Sequence, residues 1–215
     1  MRSALRYSGM AVAALLSILT LYEAIALSRA QKRTPGVIEV AKKGEIRLRD
    51  VPRQRLNMLL KVEDPNFYNH KGLDFSTPGA GMTSITQSLV KRFYFKNFQK
   101  GFAKLEQSLI ARFVLDPAMS KEAQLEAYLN HSHFGWRNGR PVVGLATAAR
   151  TYYSRDASQL SDKQFLSLVA MLVAPRELDP LRQPAANAER VRRIEAMLAG
   201  KCAPRGLSDV RLASC

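Results

Sequence analysis

The sequence is poor in the residues that build metal centres. It has two cysteines and three histidines. Cys202 and Cys215 both stand in the C-terminal tail, and neither has a metal-site pattern around it. Outside the cytoplasm such a pair can close a disulfide; otherwise it is two free thiols in a frayed tail. His131 and His133 are two apart with no third ligand at zinc spacing, which argues against a metal role. His70 stands alone, where a histidine is as readily structural as a proton carrier or a substrate contact. Acids are scarce too: 18 Asp and Glu face 33 Lys and Arg, a formal charge of +15. That excess suits an anionic partner, whether nucleic acid, an anionic membrane surface or a phosphate-bearing substrate. The basic residues run unblocked from Arg2 to Arg211, so charge alone does not choose. Strand-like alternation is rare, and only Val37–Val40 and Glu45–Leu48 could pair as a short hairpin. Internal repeats and low-complexity segments are absent, which excludes a repeat array.

What is present begins with a long apolar run. Residues 9–28, GMAVAALLSILTLYEAIALS, have roughly the length of a membrane-spanning helix. Arg2 and Arg6 precede it and favour a cytoplasmic N-terminus of residues 1–8. Arg29, Lys32 and Arg33 follow it. A single-pass anchor is one reading; a cleaved signal peptide is the other, because Ala24-Ile-Ala26 resembles a small-residue cleavage site. Either exports the rest of the chain, which sets nucleic acid aside as a partner. Residues 29–50, polar and basic with Pro35 and Gly36, read as a juxtamembrane linker. Residues 51–200 read as one mainly α domain, with 201–215 as a tail. The apolar fraction of 47% is enough for a core.

Within the domain, Ser84-Ile-Thr-Gln87 has the form of a capping box, followed by Leu89 and Phe93 on one face with Ile85. Leu105, Leu109, Ile110, Phe113 and Val114 make a second apolar stripe, interrupted at Asp116-Pro117. Ser120 can cap a third helix, and a fourth covers about 144–154. Ser161-Asp-Lys-Gln164 is another capping box. AERVRRIEAMLA at 188–199 is a last amphipathic helix.

VEDPNFYNHKGLDF, residues 62–75, crowds acids, aromatics, a histidine, a proline and a glycine together. Pro65 restricts Asp64 to extended geometry, which places Glu63 at a helix–loop junction. Partial burial there would raise its pKa towards a useful range for proton transfer; an ordinary surface acid fits the same position. GMTSITQSLVKR, residues 81–92, starts a helix with hydroxyls and carries Lys91-Arg92 two turns in. Helix-start amides, hydroxyls and cations suit a phosphate; a normally capped helix with a basic end fits equally.

Taken in order, these stretches resemble the peptidoglycan glycosyltransferases: the monofunctional biosynthetic transglycosylases and the glycosyltransferase domains of class A penicillin-binding proteins. Glu63-Asp64-x-x-Phe67-x-x-His70-x-Gly72-x-Asp74 is similar to the family's first motif. GMTSITQSLVKR is similar to the second, SKEAQLEAYLN to a third stretch, and GLATAARTYYSRDASQL to a fourth. The resemblance covers about residues 55–185, and no penicillin-binding domain fits after residue 200, as in the monofunctional type. It departs at Ser88, at Thr83-Ser84, at Arg92 and in a shortened stretch between His70 and Thr83. The R-K-x-x-E motif has only FAKLE, with Phe102 and Ala103 in place of the basic pair and Glu106 as its acid.

The resemblance implies a lysozyme-like, two-lobed glycosyltransferase domain behind one transmembrane helix in the bacterial inner membrane, with the domain on the periplasmic side. It implies polymerisation of glycan strands from lipid II onto a lipid-linked chain, forming β-1,4 bonds with inversion. Glu63 would be the general base, and Glu106 would support the donor and its pyrophosphate. Asp64, Phe67, His70 and Gly72 would shape the site; Thr83, Ser84, Thr86 and Gln87 would line the donor cleft; Lys91 and Arg92 would contact pyrophosphate. Mg²⁺ or Mn²⁺ suits phosphate oxygens; no organic cofactor is implied. Partners would be the lipid substrates, the membrane and other cell-wall synthesis or division proteins. FYFKNF at 93–98 suits a membrane interface. Two alternatives are a non-catalytic or specialised lipid II-binding member, and a lytic muramidase on a similar fold.

Overall fold

The computed structural model describes residues 2–99 and 101–215, with side chains from Met10 and from Val12 onward. The side chains of Arg2 and Arg6 lie outside the described residues. The first helix, α1, runs over Arg2–Ala41. Its outer half exposes Met10, Val12, Leu15, Leu16, Ile18 and Leu21. Val12–Ala41 is long and apolar enough to cross a membrane. Its inner half packs on the domain through Ala30, Thr34, Val37 and Ala41, spaced at four, three and four residues, which is one helix face.

Two expectations fail here. The polar stretch after residue 28 is helical to Ala41, with Pro35 accommodated inside. The hairpin of Val37–Val40 with Glu45–Leu48 does not form, because Val37 is in α1 and Leu48 opens a 3₁₀ turn, Leu48–Asp50. Charge on the outer face hid the buried stripe on the inner one.

The remaining chain is mainly helical. In order come α2 (Arg53–Glu63), α3 (Ile85–Tyr94) and α4 (Phe102–Ile110). A π-helical turn, Ala111–Leu115, carries α4 into the short α5 (Asp116–Ala118). Then follow α6 (Lys121–His131), β1 (His133–Arg137), β2 (Arg140–Val143), α7 (Leu145–Tyr153), α8 (Asp162–Met171) and α9 (Pro184–Leu198). The two strands pair antiparallel, with Trp136 opposite Pro141. Asp116-Pro117 does not interrupt the second stripe; Pro117 sits in the first turn of α5, where its missing N–H costs nothing. The stripe itself is only half core: Ile110 and Val114 are buried, while Leu105 and Phe113 face out.

The helix starts follow local chemistry. Ser84 and Ser161 each accept from the amide three residues on, and Gln87 and Gln164 return the bond to the cap amide. Ser120 caps α6 by accepting from Ala123 N. α8 is the central helix, with Phe165, Leu168 and Met171 among the most deeply buried side chains. It packs against α9, α2 and α7, while α3 packs on α6. These contacts bring the end of α2 between α6 and α9.

Candidate active site

Glu63 is the last residue of α2. Asp64 follows at φ −159° and ψ 74°, outside the helical region that the proline after it disfavours. The Glu63 side chain is partly exposed but crowded by protein. Tyr128 Oη, from α6, donates to Glu63 Oε2 at 2.7 Å. The charge of Arg190, from α9, also acts on it. Desolvation dominates and raises the Glu63 pKa to about 7; the Tyr128 bond and the Arg190 charge oppose it, and Asp64 adds to it. Tyr128 is itself pushed well above its ordinary value by burial and then by Glu63, so it stays a donor. The result is a carboxyl that can release its proton and take one back near neutral pH.

The residues around Glu63 in the first motif are braces. His70 Nε2 lies 2.9 and 3.0 Å from the two Asp64 carboxylate oxygens. Asp64 Oδ2 also accepts from Ile85 N, the first amide of α3, at 2.9 Å. Phe67 is buried, edge-on to His70, with Lys121 Nζ 4.7 Å from its ring centre. Gly72 has φ of 85°, and a Cβ there would sit 2.7 Å from Ala111 O. Its carbonyl accepts from Ser84 Oγ at 2.6 Å. Asp74 accepts from the amides and hydroxyls of Ser76 and Thr77, which hold its carboxyl well below the usual range against the cost of burial. One network therefore ties the Glu63–Asp64 junction to the hydroxyl-rich start of α3.

That network corrects the expected cleft lining. Thr86 and Gln87 are fully buried. Thr86 donates to Gln124 Oε1 at 2.7 Å, and Gln87 Nε2 donates to Ser108 Oγ at 2.9 Å. Ser84 is buried in its capping box. Asp64, Phe67 and His70 are likewise buried. The polar side-chain atoms of Asp64, Ser84, Thr86 and Gln87 already hold protein partners, while among the described residues the buried His70 Nδ1 has none.

Thr83, Lys91 and Arg92 remain exposed. Lys104 Nζ donates to Thr83 Oγ1 at 3.0 Å. Burial first, and then repulsion from Lys91, lower the Lys104 pKa to about 8. His133 lies close enough to Arg92 and Lys91 to feel both, and burial followed by these charges lowers its pKa. Gly135 N donates to His133 Nδ1, which leaves Nε2 as the protonated nitrogen. Lys91, Arg92, Lys104 and His133 thus act on one another as a cationic patch. Lys104 and His133 were not expected in it.

A transglycosylase family model matches residues 31–199. The chain belongs to the transglycosylase family. It is 30% identical to a biosynthetic peptidoglycan transglycosylase of Bordetella avium over 217 aligned residues, 84% of this chain and 88% of the relative. It is 28% identical to penicillin-binding protein 1A of Haemophilus influenzae over 158 residues, 67% of this chain and 18% of the relative. Penicillin-binding protein 1F of Bacillus subtilis matches at 28% over 166 residues, 71% of this chain and 22% of the relative. The chain thus spans about a fifth of the length of these two penicillin-binding proteins.

Within this transglycosylase, Glu106 does not join Glu63. It is not among the charges acting on that carboxyl. It lines a cavity of about 440 Å³ with Tyr22, Arg29 and Arg33 of α1 and Tyr94 of α3, and its charge acts on Glu23. α4 turns this residue towards the anchor helix, while Gln107 and Ile110 face the core. Tyr128 and Arg190 are the groups from other helices that act on Glu63. Tyr128 could have been found as the tyrosine of the matched SKEAQLEAYLN stretch; Arg190 carried no signal beyond lying on an amphipathic helix.

Proposed function

We propose that this transglycosylase polymerises peptidoglycan glycan strands from lipid II. The observation that carries the reading is Glu63, poised near neutrality between a tyrosine donor and an arginine at the end of α2. The acceptor sugar's 4-hydroxyl attacks the anomeric carbon of the lipid-linked donor. Glu63 takes the hydroxyl proton as the new C–O bond forms. The bond from the anomeric carbon to the pyrophosphate oxygen breaks on the opposite face, giving inversion and a β-1,4 link. Undecaprenyl pyrophosphate leaves with the bonding electron pair.

The leaving group is good, so the protein's work is positioning and charge neutralisation. Lys91, Arg92 and Lys104 supply the positive charge, with the Thr83 hydroxyl beside them. An anion there would oppose the depression of the Lys104 pKa that burial and Lys91 cause. A divalent cation held by the protein is poorly supported. Among the described residues no three Asp, Glu, His or Cys side chains cluster to hold a metal ion, and Asp64 is already bonded to His70 and Ile85. No step is routed through one. The exposed apolar half of α1 supports anchoring in the inner membrane, with the domain on the periplasmic side where its lipid substrate is presented.

The test is incubation of the full chain with purified lipid II, followed by gel separation of the products. Glycan ladders from wild type and none from Glu63→Gln are expected. Lipid II that binds but does not polymerise would mark a binding member, and muropeptides released from sacculi would mark a muramidase. A carboxyl near neutrality could also protonate a leaving sugar oxygen, so the sacculus arm is a real alternative.

A further inference from the structure

The family match ends at residue 199, and the structure continues for one more short segment. Residues 201–215 follow α9, and Cys202 and Cys215 close them into a loop by a disulfide. The tail is packed, not frayed. Gly206 O accepts from Gly79 N at 2.8 Å, and Leu207 O accepts from Gly81 N at 2.9 Å. A Cβ on Gly79 would sit 2.7 Å from Pro204, and one on Gly81 would sit 2.6 Å from Val210. Both glycines have positive φ. The segment between His70 and Thr83 is thus shaped to receive the tail.

The tail reaches the base by a second route. Arg190 Nη2 donates to Val210 O at 2.7 Å. Arg190 is 5% exposed, yet among the described residues its Nε and Nη1 have no hydrogen-bond partner. Idle donors on a buried guanidinium cost stability. Arg190 feels Glu63 and Asp209 as anions and Arg193 and Arg211 as cations, but among the described residues it makes no ion pair. A direct bidentate pair would occupy the Glu63 lone pairs and hold its proton off permanently. Without such a pair, the Arg190 charge still favours the Glu63 carboxylate, whose Oε2 accepts from Tyr128.

We infer that the disulfide-closed tail is a positioning element of the active site: through Val210 it fixes Arg190 opposite Glu63, and through Gly206 and Leu207 it holds the loop that joins the base to the start of α3. The inference rests on the proposed role of Glu63 as base. Tyr128, Arg190 and Asp64 are the groups that face Glu63 from α6, α9 and its own helix end. The tail contributes no charge to that set. It acts by keeping Arg190 where it is.

The experiment is a ¹³C-carboxyl NMR titration of Glu63 in the full chain in micelles, with the resonance assigned by its loss in Glu63→Gln. Arg190→Met should raise the Glu63 midpoint by about 0.5–1 pH unit, because an opposing cation is removed. Arg190→Lys should restore most of it. Cys202→Ser/Cys215→Ser should move the midpoint the same way by less, and should speed hydrogen exchange at the Gly79 and Gly81 amides. An unchanged midpoint in folded Arg190→Met would overturn the inference. If Arg190→Met does not fold, the double-serine variant decides: wild-type midpoint and wild-type exchange would overturn it equally. The titration reads the carboxyl itself, so failure of the tail's positioning effect is distinguishable from failure of the function reading, which a wild type inactive on lipid II would show.

Discussion

Replacing Glu63 by glutamine should stabilise the protein at alkaline pH while abolishing its chemistry. The folded state raises this carboxyl from 4.5 to about 7. Between those values the folded protein holds a proton that the unfolded chain has released. Stability therefore falls as pH rises through that window, and levels off above about 7. At about 1.36 kcal/mol per pH unit, the full displacement corresponds to about 3 kcal/mol. Glutamine keeps an oxygen for the Tyr128 hydroxyl and carries no charge to desolvate. Urea unfolding of wild type and Glu63→Gln, each at pH 4.5 and pH 8, cancels the titration of distant groups in the double difference. The variant should match wild type near pH 4.5 and exceed it by about 2–3 kcal/mol at pH 8. A stability difference that does not change with pH would refute the buried, raised carboxyl and with it the poised base.

Tyr128→Phe removes the donor that favours the Glu63 carboxylate, so the ascending limb of kcat/KM against pH should move up by about 0.5–1 unit. Gly72→Ala forces a side chain into φ of 85° and against Ala111 O; thermal melting should report a loss of about 2–4 kcal/mol. Lys104→Met removes one cation from the Thr83–Lys91 patch, and calorimetric titration with inorganic pyrophosphate should show about tenfold weaker binding, as for loss of one charge-assisted hydrogen bond.

Local chemistry was the most readable part of the sequence. The serines at 84, 120 and 161 cap their helices, and Asp64-Pro65 ends α2 at Glu63, because each depends on a few neighbouring residues. The partners of Glu63 were not readable in the same way. Tyr128 is 65 residues away, and Arg190 lies on a helix whose pattern says only that it packs. Thr86 and Gln87 belong to a matched motif, yet the structure spends them on Gln124 and Ser108. Motif membership did not distinguish a group that touches substrate from one that holds the helix behind it. The linker was misjudged because four buried positions are enough to dock α1, and charged neighbours mask them in composition. The cysteine pair was readable as a possibility, and the structure closes it. What it closes onto, the glycines of the shortened loop, depends on tertiary packing alone.

The most direct test of the account is the rate of lipid II polymerisation by the full chain between pH 5.5 and 8.5, with Glu63→Gln beside it. The account predicts a rate that rises with pH to a plateau, with a midpoint at about 7, and no polymer from the variant at any pH. Polymerisation by a folded Glu63→Gln variant at the wild-type rate, or a wild-type rate that is flat across that range, would contradict it.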